Sequence, residues 1–219
     1  MAKKVIKPCT IYLVRHGETD NNKNGIIQGS KVDANLNKTG EKQAKQAAER
    51  LKQVPFIAAF SSDLVRAKQT AEIISLQHKL TVTTNKAIRE RSFGHFEGKS
   101  TDYFHLKLKK QLDHFATLSD EAKFDYDFNH GIETLGPAVS RLITFLREIA
   151  LAYPGQTVLV VSHGALIRHF LIRIGFATFE TLRWDSDSLP PITNLGHAVI
   201  QTDGIDFFII DTFGINKTI

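Results

Sequence analysis

Three runs of consecutive apolar residues, Ile11–Val14, Phe56–Phe60 and Val158–Val161, punctuate the chain. Short runs without alternation predict strands buried on both faces. Between and after them the apolar positions take helical spacing. Glu41–Leu51 follows the turn Lys38-Thr39-Gly40, and a stripe at Ala67, Thr70, Ala71 and Ile74 comes next. Another stripe, Val139, Leu142, Ile143, Leu146 and Ile149, is entered through Pro137 and stopped by Tyr153-Pro154-Gly155. A further one, Leu166, Ile167, Phe170, Leu171 and Ile174, ends at Gly175. Ala198–Thr202, the turn Asp203-Gly204 and Phe207–Ile210 predict a C-terminal hairpin. The alternation of strands and helices predicts an α/β chain whose sheet is mainly parallel and covered on both faces.

The segment from Ser100 to His130 is less regular. Phe104, Leu108, Leu112 and Phe115 form a stripe opposite Lys107, Lys110, Gln111 and His114, which predicts a solvated helix packed over the sheet. We read it as a helical insert around 100–130 in a single domain spanning 1–219, because no Pro/Ser/Gly-rich linker divides the chain.

Composition narrows the picture only slightly. With 42% hydrophobic and 23% charged residues, the chain has the make-up of an ordinary soluble protein. Cys9 is the one cysteine, so an intrachain disulfide is excluded and a buried thiol in a reducing compartment is expected. The apolar run after Lys3, Lys4 and Lys7 is too short for a signal-peptide core, and no stretch reaches the ~20 apolar residues of a membrane span. The expectation is a cytoplasmic protein without a membrane partner. A formal charge of +5 points to an anionic partner and leaves nucleic acid, acidic membranes and phosphorylated metabolites open.

The residues just beyond the buried runs decide between these. Ile11–Val14 is followed by Arg15-His16-Gly17, Val158–Val161 by Ser162-His163-Gly164, and Phe56–Phe60 by Ser61-Ser62-Asp63 with Arg66 close behind. Ligands of open α/β sheets bind beyond the carboxyl ends of the strands, so Arg15, His16, Arg66 and His163 converge on one crevice. Arg66 falls in the first turn of its helix, where the dipole disfavours a cation, which marks it as functional. Arginines, glycine turns and helix N-termini together suit phosphate.

Gly98-Lys99-Ser100 resembles a P-loop ending, but Phe93 stands where that loop needs glycine. His163 and His169 do not share a helix face on adjacent turns, and no H-E-x-x-H or cysteine cluster occurs, so no metal is expected. His78, His105, His114 and His197 read as solvent or packing residues; His95 is expected near Glu90 in the pocket, with its role left open.

Arg15-His16-Gly17-Glu18-Thr19 resembles the RHGE[ST] signature of the histidine phosphatase superfamily, the phosphoglycerate-mutase-like proteins. "QGSKVDANLNKTGEKQA", "SSDLVRAKQTA", "IRERSFGHFEGK" and "VSHG" are similar to further motifs of that family and follow in family order. The resemblance implies a three-layer α/β/α sandwich and a small phosphorylated substrate, with no cofactor and no nucleic acid. It also implies roles. His16 would be the nucleophile and become a phosphohistidine. Arg15, Arg66 and His163, the last as a cation, would hold the phosphoryl oxygens with help from Asn22 and Gly164. Gln28 and Gly29 would line the phosphate end, and Glu90 would be general acid and then base.

Two alternatives stay open beside a phosphatase: a cofactor-dependent phosphoglycerate mutase and a catalytically silent phospholigand-binding protein. Mutases of the family carry an arginine-rich insert after the acid, whereas "TDYFHLKLKKQLDHFATLSDEAKFDYDF" has lysines and no arginine. "FGHFEGK" also resembles the phosphatase branch, with its fructose-2,6-bisphosphatase-like and broad-specificity members. Substrate choice would lie in the insert after Ser100 and the loop from Phe176 to Asn194, whose sequences do not reveal it; nor does the sequence reveal an oligomeric state.

Overall fold

The computed structural model describes residues 7–183 and 190–218; Lys3, Lys4 and positions 184–189 of the loop between Phe176 and Asn194 lie outside them. The strands are β1 (Cys9–Arg15), β2 (Phe56–Ser61), β3 (Val82–Thr84), β4 (Thr157–Ser162), β5 (Ile192–Thr202) and β6 (Phe207–Ile215). The helices are α1 (Asp20–Lys23), α2 (Lys38–Leu51), α3 (Val65–Leu76), α4 (Thr101–Thr117), α5 (Asp120–Asp125), α6 (Leu135–Ala152) and α7 (Gly164–Arg173). One sheet runs in the order β3-β2-β4-β1-β5-β6. β1, β2, β3 and β4 are parallel, and the hairpin of β5 and β6 adds to β1 antiparallel. The mainly parallel sheet with a C-terminal hairpin is as the pattern predicts.

Alternate residues of the central strands feed two cores. Ile11, Leu13, Val158 and Val160 pack against Leu142, Leu146, Leu166 and Phe170 of α6 and α7. Val14, Leu159 and Val161 pack on the other face against Ala47, Ala67, Ala71 and Ile74 of α2 and α3. Helices on both faces make the three layers. Cys9 is buried, and burial raises its thiol to about 11, so it packs as a small apolar residue.

Several boundaries differ from the sequence pattern. Lys38-Thr39-Gly40 is the first turn of α2 rather than a turn before it, because the Asn37 side chain caps the helix by accepting from the Gly40 N–H at 2.8 Å. Gly40 is there for close approach: a Cβ on it would strike the Glu18 backbone. α6 starts at Leu135, with Pro137 inside its first turn, where the missing N–H costs nothing. α4 does not lie over the sheet. Its stripe joins Ile27, Phe96, Phe128 and Ile132 in a separate apolar cluster and roofs the cavity described below.

Candidate active site

β1 and β4 are in register with Arg15 opposite Ser162, so the residue after each strand is a histidine. The His16 N–H extends the ladder by donating to the Ser162 carbonyl at 3.1 Å. The two imidazoles meet edge to face with centroids 5.2 Å apart. His16 Nδ1 is 2.7 Å from the Gly17 carbonyl, which can only accept, so Nδ1 carries the proton and Nε2 keeps its lone pair. Its backbone is held from both sides: the Gly17 N–H donates to Thr70 Oγ1 at 3.0 Å, and Asn194 Nδ2 donates to the His16 carbonyl at 3.0 Å. Asn194 precedes Leu195, whose φ of +58° is costly for a branched residue and marks the irregular start of β5.

Arg15 and Arg66 are buried beside the histidines. Arg15 Nη1 donates to the Ile192 carbonyl at 2.5 Å, and its chain passes so close to Gly164 that a Cβ there would sit 3.0 Å from Nε. Arg66 Nη2 donates to the Gly29 carbonyl at 2.8 Å and Nη1 to the Val32 carbonyl at 3.2 Å, with Asp33 3.4 Å away. Asp33 also accepts from the Val65 N–H at 2.8 Å, which offsets the unfavourable placing of Arg66 in the first turn of α3. The Nε atoms of both arginines are buried without a partner, as are both ring nitrogens of His163 and Gln28 Oε1. Buried polar atoms left unpaired are costly, and their convergence marks the seat of a polar ligand.

The loop that carries Gly29 is tied down by Glu97. Its carboxylate accepts from the N–H groups of Ser30 at 3.2 Å, Lys31 at 2.7 Å, Val32 at 3.2 Å and Phe93 at 2.9 Å.

Glu90 sits against the N-terminus of α7. It accepts from the N–H groups of Ala165 at 3.0 Å, Leu166 at 3.1 Å and Arg91 at 2.8 Å. The segment bearing it is braced by Arg141, which pairs bidentately with Glu133 at 3.1 Å and donates to the carbonyls of Ala87 at 2.7 Å and Arg89 at 2.6 Å.

Burial, and then the charges of Arg66 and Arg15, hold His16 well below the ordinary imidazole range. His163 is held down by burial first, then by Arg66 and its other neighbours. The expectation of a cationic His163 runs against this: its burial beside two guanidiniums favours the neutral imidazole. Arg15 is lowered to about 10, mainly by burial, and stays charged at neutral pH.

A cavity of about 1220 Å³ is lined by Arg15, His16, Arg66, Glu90 and Gly164, whereas His163 is fully buried and is not among its lining residues. Asn22, Gln28 and Gly29 line it too, so these predicted residues border one space. Asn22 is partly committed elsewhere: its Oδ1 accepts from the Thr19 N–H at 3.2 Å in the capping box of α1. His95 does not line the cavity; it is exposed, and its N–H donates to the His130 carbonyl at 3.0 Å. His105 borders the cavity from an exposed position, whereas His78 and His197 pack on Phe56 and on Tyr12 and Phe213. Arg91, Lys123, Arg168 and Asn194 also line the cavity, and no sequence signal announced them beyond the adjacency of Arg91 to Glu90. Among the described residues no group of three or more His, Cys, Asp or Glu could hold a metal ion, and no helix is long and apolar enough to cross a membrane.

The chain is similar to known proteins in sequence and in fold. A protein of Schizosaccharomyces pombe named as a probable phosphatase is 34% identical over 211 residues, which is 93% of this chain and 92% of that one. Phosphoglycerate mutase-like protein 4 of Arabidopsis thaliana is 37% identical, covering 93% of this chain and 84% of its own. The crystal structure of a phosphoglycerate mutase from Bacillus anthracis superposes with a TM-score of 0.80 at 25% identity, over 96% of this chain and 94% of that one. The model of the histidine phosphatase superfamily (branch 1) matches residues 11–194. With two imidazoles and two buried guanidiniums meeting at the strand ends, the chain belongs to the histidine phosphatase superfamily.

Proposed function

We propose that the protein is a phosphomonoester phosphatase acting on a small phosphorylated metabolite through a phosphohistidine on His16. The observation that carries this reading is the tautomer of His16. An imidazole kept neutral by burial, with Nδ1 bonded to the Gly17 carbonyl, offers Nε2 as a nucleophile. Arg15, Arg66 and His163 surround the phosphoryl oxygens, with Asn22, Gln28 and Gly164 completing the pocket. Concentrated positive charge of this kind stabilises the equatorial oxygens of a loose phosphoryl-transfer transition state.

In the first step Nε2 attacks phosphorus, the P–N bond forms, and the ester P–O bond breaks. Glu90 in its protonated form gives its proton to the departing oxygen. In the second step water attacks the phosphohistidine, the carboxylate of Glu90 takes a proton from that water, and the P–N bond breaks to release phosphate. His163 takes a proton as the dianion enters and returns it on release. Arginines supply the charge that a metal would otherwise bring, so the rate is expected to survive chelation.

The relatives support a phosphatase on small metabolites. A metal-independent phosphoserine phosphatase of Arabidopsis thaliana is 35% identical over 75% of this chain and 68% of its own. The test is a screen of phosphorylated metabolites for phosphate release, with 3-phosphoglycerate interconversion followed in parallel. Release from one or more metabolites is expected; interconversion without release would make the protein a mutase, and neither would make it a binder.

A further inference from the structure

Asp63 stands just before Leu64 and Val65 at the start of α3, where an aspartate can accept from the first N–H groups of a helix. It does not do so. α3 has no side-chain bond at its cap, and the Val65 N–H is served by Asp33 from another loop. The carboxylate of Asp63 meets Arg89 instead: Arg89 Nε donates to Oδ1 at 2.6 Å and Nη2 to Oδ2 at 2.8 Å, a fork that engages both oxygens. These bonds hold Asp63 below the usual carboxylate range and raise Arg89 above its own. A capping residue turned away from its helix marks a task outside that helix.

The fork joins two parts of the site. Asp63 directly follows Ser62, whose N–H donates to the Val161 carbonyl at 3.0 Å, and it opens the turn that leads to Arg66. Arg89 adjoins Glu90. Between them lies Asp33, 3.4 Å from Arg66 and near enough to favour the charge of Arg89. Charges therefore alternate through Arg66, Asp33, Arg89 and Asp63, from the buried guanidinium to the chain that carries Glu90. The backbone of that chain is tied as well: the Asn85 N–H donates to the Ser61 carbonyl at 2.8 Å, and Ser162 Oγ donates to the Ile88 carbonyl at 2.9 Å. The side chains of Arg89 and Asp63 are 34% and 21% exposed. An isolated pair at that exposure would matter little, but a bidentate fork within a charge network holds its geometry. Neither residue borders the cavity, so the pair acts through Glu90 and not on a ligand.

We propose that Asp63 and Arg89 are positioning residues for Glu90, and that their fork sets the interval between Arg66 and the acid so that the proton reaches the departing oxygen as the P–O bond breaks. This rests on the phosphatase reading with Glu90 as its acid. A displacement of about 1 Å caused away from the chemistry can cost about 10²-fold in rate. Here it falls on the one step that needs the proton.

The test measures phosphorylation rates by rapid quench for 4-nitrophenyl phosphate and for the alkyl phosphate turned over fastest in the metabolite screen. Wild type is compared with Arg89→Met, Arg89→Lys, Glu90→Gln and the double variant Arg89→Met/Glu90→Gln. Arg89→Met is expected to slow the alkyl phosphate about 5–50-fold and the aryl phosphate less than about threefold, through kcat rather than KM. Arg89→Lys, which keeps the charge without the fork, should recover part of the loss. In the Glu90→Gln background, Arg89→Met should cost less than about twofold on either substrate, because no acid is left to position. Equal losses on the two substrates, or the same loss with and without the Glu90 carboxylate, would make the pair a plain structural brace and overturn the proposal. Should Arg89→Met fail to fold, Asp63→Asn carries the same comparison, with a selective loss of about 2–10-fold expected and a uniform loss overturning the idea. The two readings fail differently. No wild-type turnover of any phosphate would sink the phosphatase and the positioning together; a selective loss in Glu90→Gln with none in Arg89→Met or Asp63→Asn would sink the positioning alone.

Discussion

The carboxylate of Glu97 occupies the space beside Gly29 that any Cβ would need, and Gly29 holds a φ of +58° there. The two residues interlock: the glycine admits the carboxylate, and the carboxylate gathers the amides of the loop whose carbonyls grip Arg66. Gly29→Ala should therefore cost about 1–3 kcal/mol of stability and also loosen Arg66. Inorganic phosphate should inhibit it about tenfold more weakly. Glu97→Gln, which retains one acceptor oxygen, should fall between the variant and the wild type. Urea unfolding together with the phosphate inhibition constant decides the matter; a stability loss with unchanged inhibition would uncouple Glu97 from the anion pocket.

His16→Ala should lose about 10⁴-fold or more in turnover and form no acid-labile phosphoenzyme, while keeping its fold. A rapid quench with labelled substrate reads this directly. Phosphate trapped on His16→Ala but absent from His163→Ala would exchange the roles of the two imidazoles.

Glu90→Gln should slow an alkyl phosphate by about 10²–10⁴-fold in the phosphorylation step and an aryl phosphate much less, because an aryl oxide leaves without a proton. The substitution also turns an NH₂ toward a backbone donor of α7, a structural cost that both substrates share. The ratio of the two losses is therefore the informative number. A ratio near unity in pre-steady-state measurements would reduce Glu90 to a shaping role.

Stability should fall as the solution is acidified. Burial leads the causes that hold His16, His163 and His169 well below the ordinary imidazole range, so the folded protein binds their protons later than the unfolded chain does. Their contribution is complete above the unfolded value of about 6.5 and is lost as pH drops from there toward the folded values. Each histidine adds a slope approaching about 1.4 kcal/mol per pH unit in that window. Urea midpoints between pH 7.5 and 5.5 give the slope, and His169→Asn should remove one proton's share. Saturating phosphate should flatten the dependence, because a bound dianion favours His163 as a cation. A flat profile without phosphate would mean that the imidazoles are as easily protonated folded as unfolded.

The meeting of Arg15, His16, Arg66 and His163 was legible in the sequence because its residues are local to strand ends. Arg15, His16 and His163 need only a buried run and the step beyond it, and Arg66 stood out by breaking a helix rule. The distal wall was not legible. Lys123 comes from a short helix of the insert, Arg168 from the second turn of α7 and Asn194 from an irregular strand start, so only tertiary packing brings them together. β3 is three residues of low burial, with no apolar run to announce it. The first residues of β5 follow Pro190-Pro191 and include Gly196, which read as breakers. Gly40 looked like a turn glycine because close packing leaves no periodicity to read.

β1 is paired along both of its edges, with β4 on one side and β5 on the other, and it delivers His16 one step beyond its ladder with β4. The gap between the two imidazoles is thereby set by the fixed interval between neighbouring strands, about 4.8 Å, rather than by any loop. The sheet acts as a ruler. The walls that face the far end of a substrate hang from α5 and the segment after α7, outside that ladder. A different insert could be grafted there and a different ligand admitted while the His16 ring kept its place, and the backbone amides of Arg15 and His16 would still be among the last to exchange with solvent.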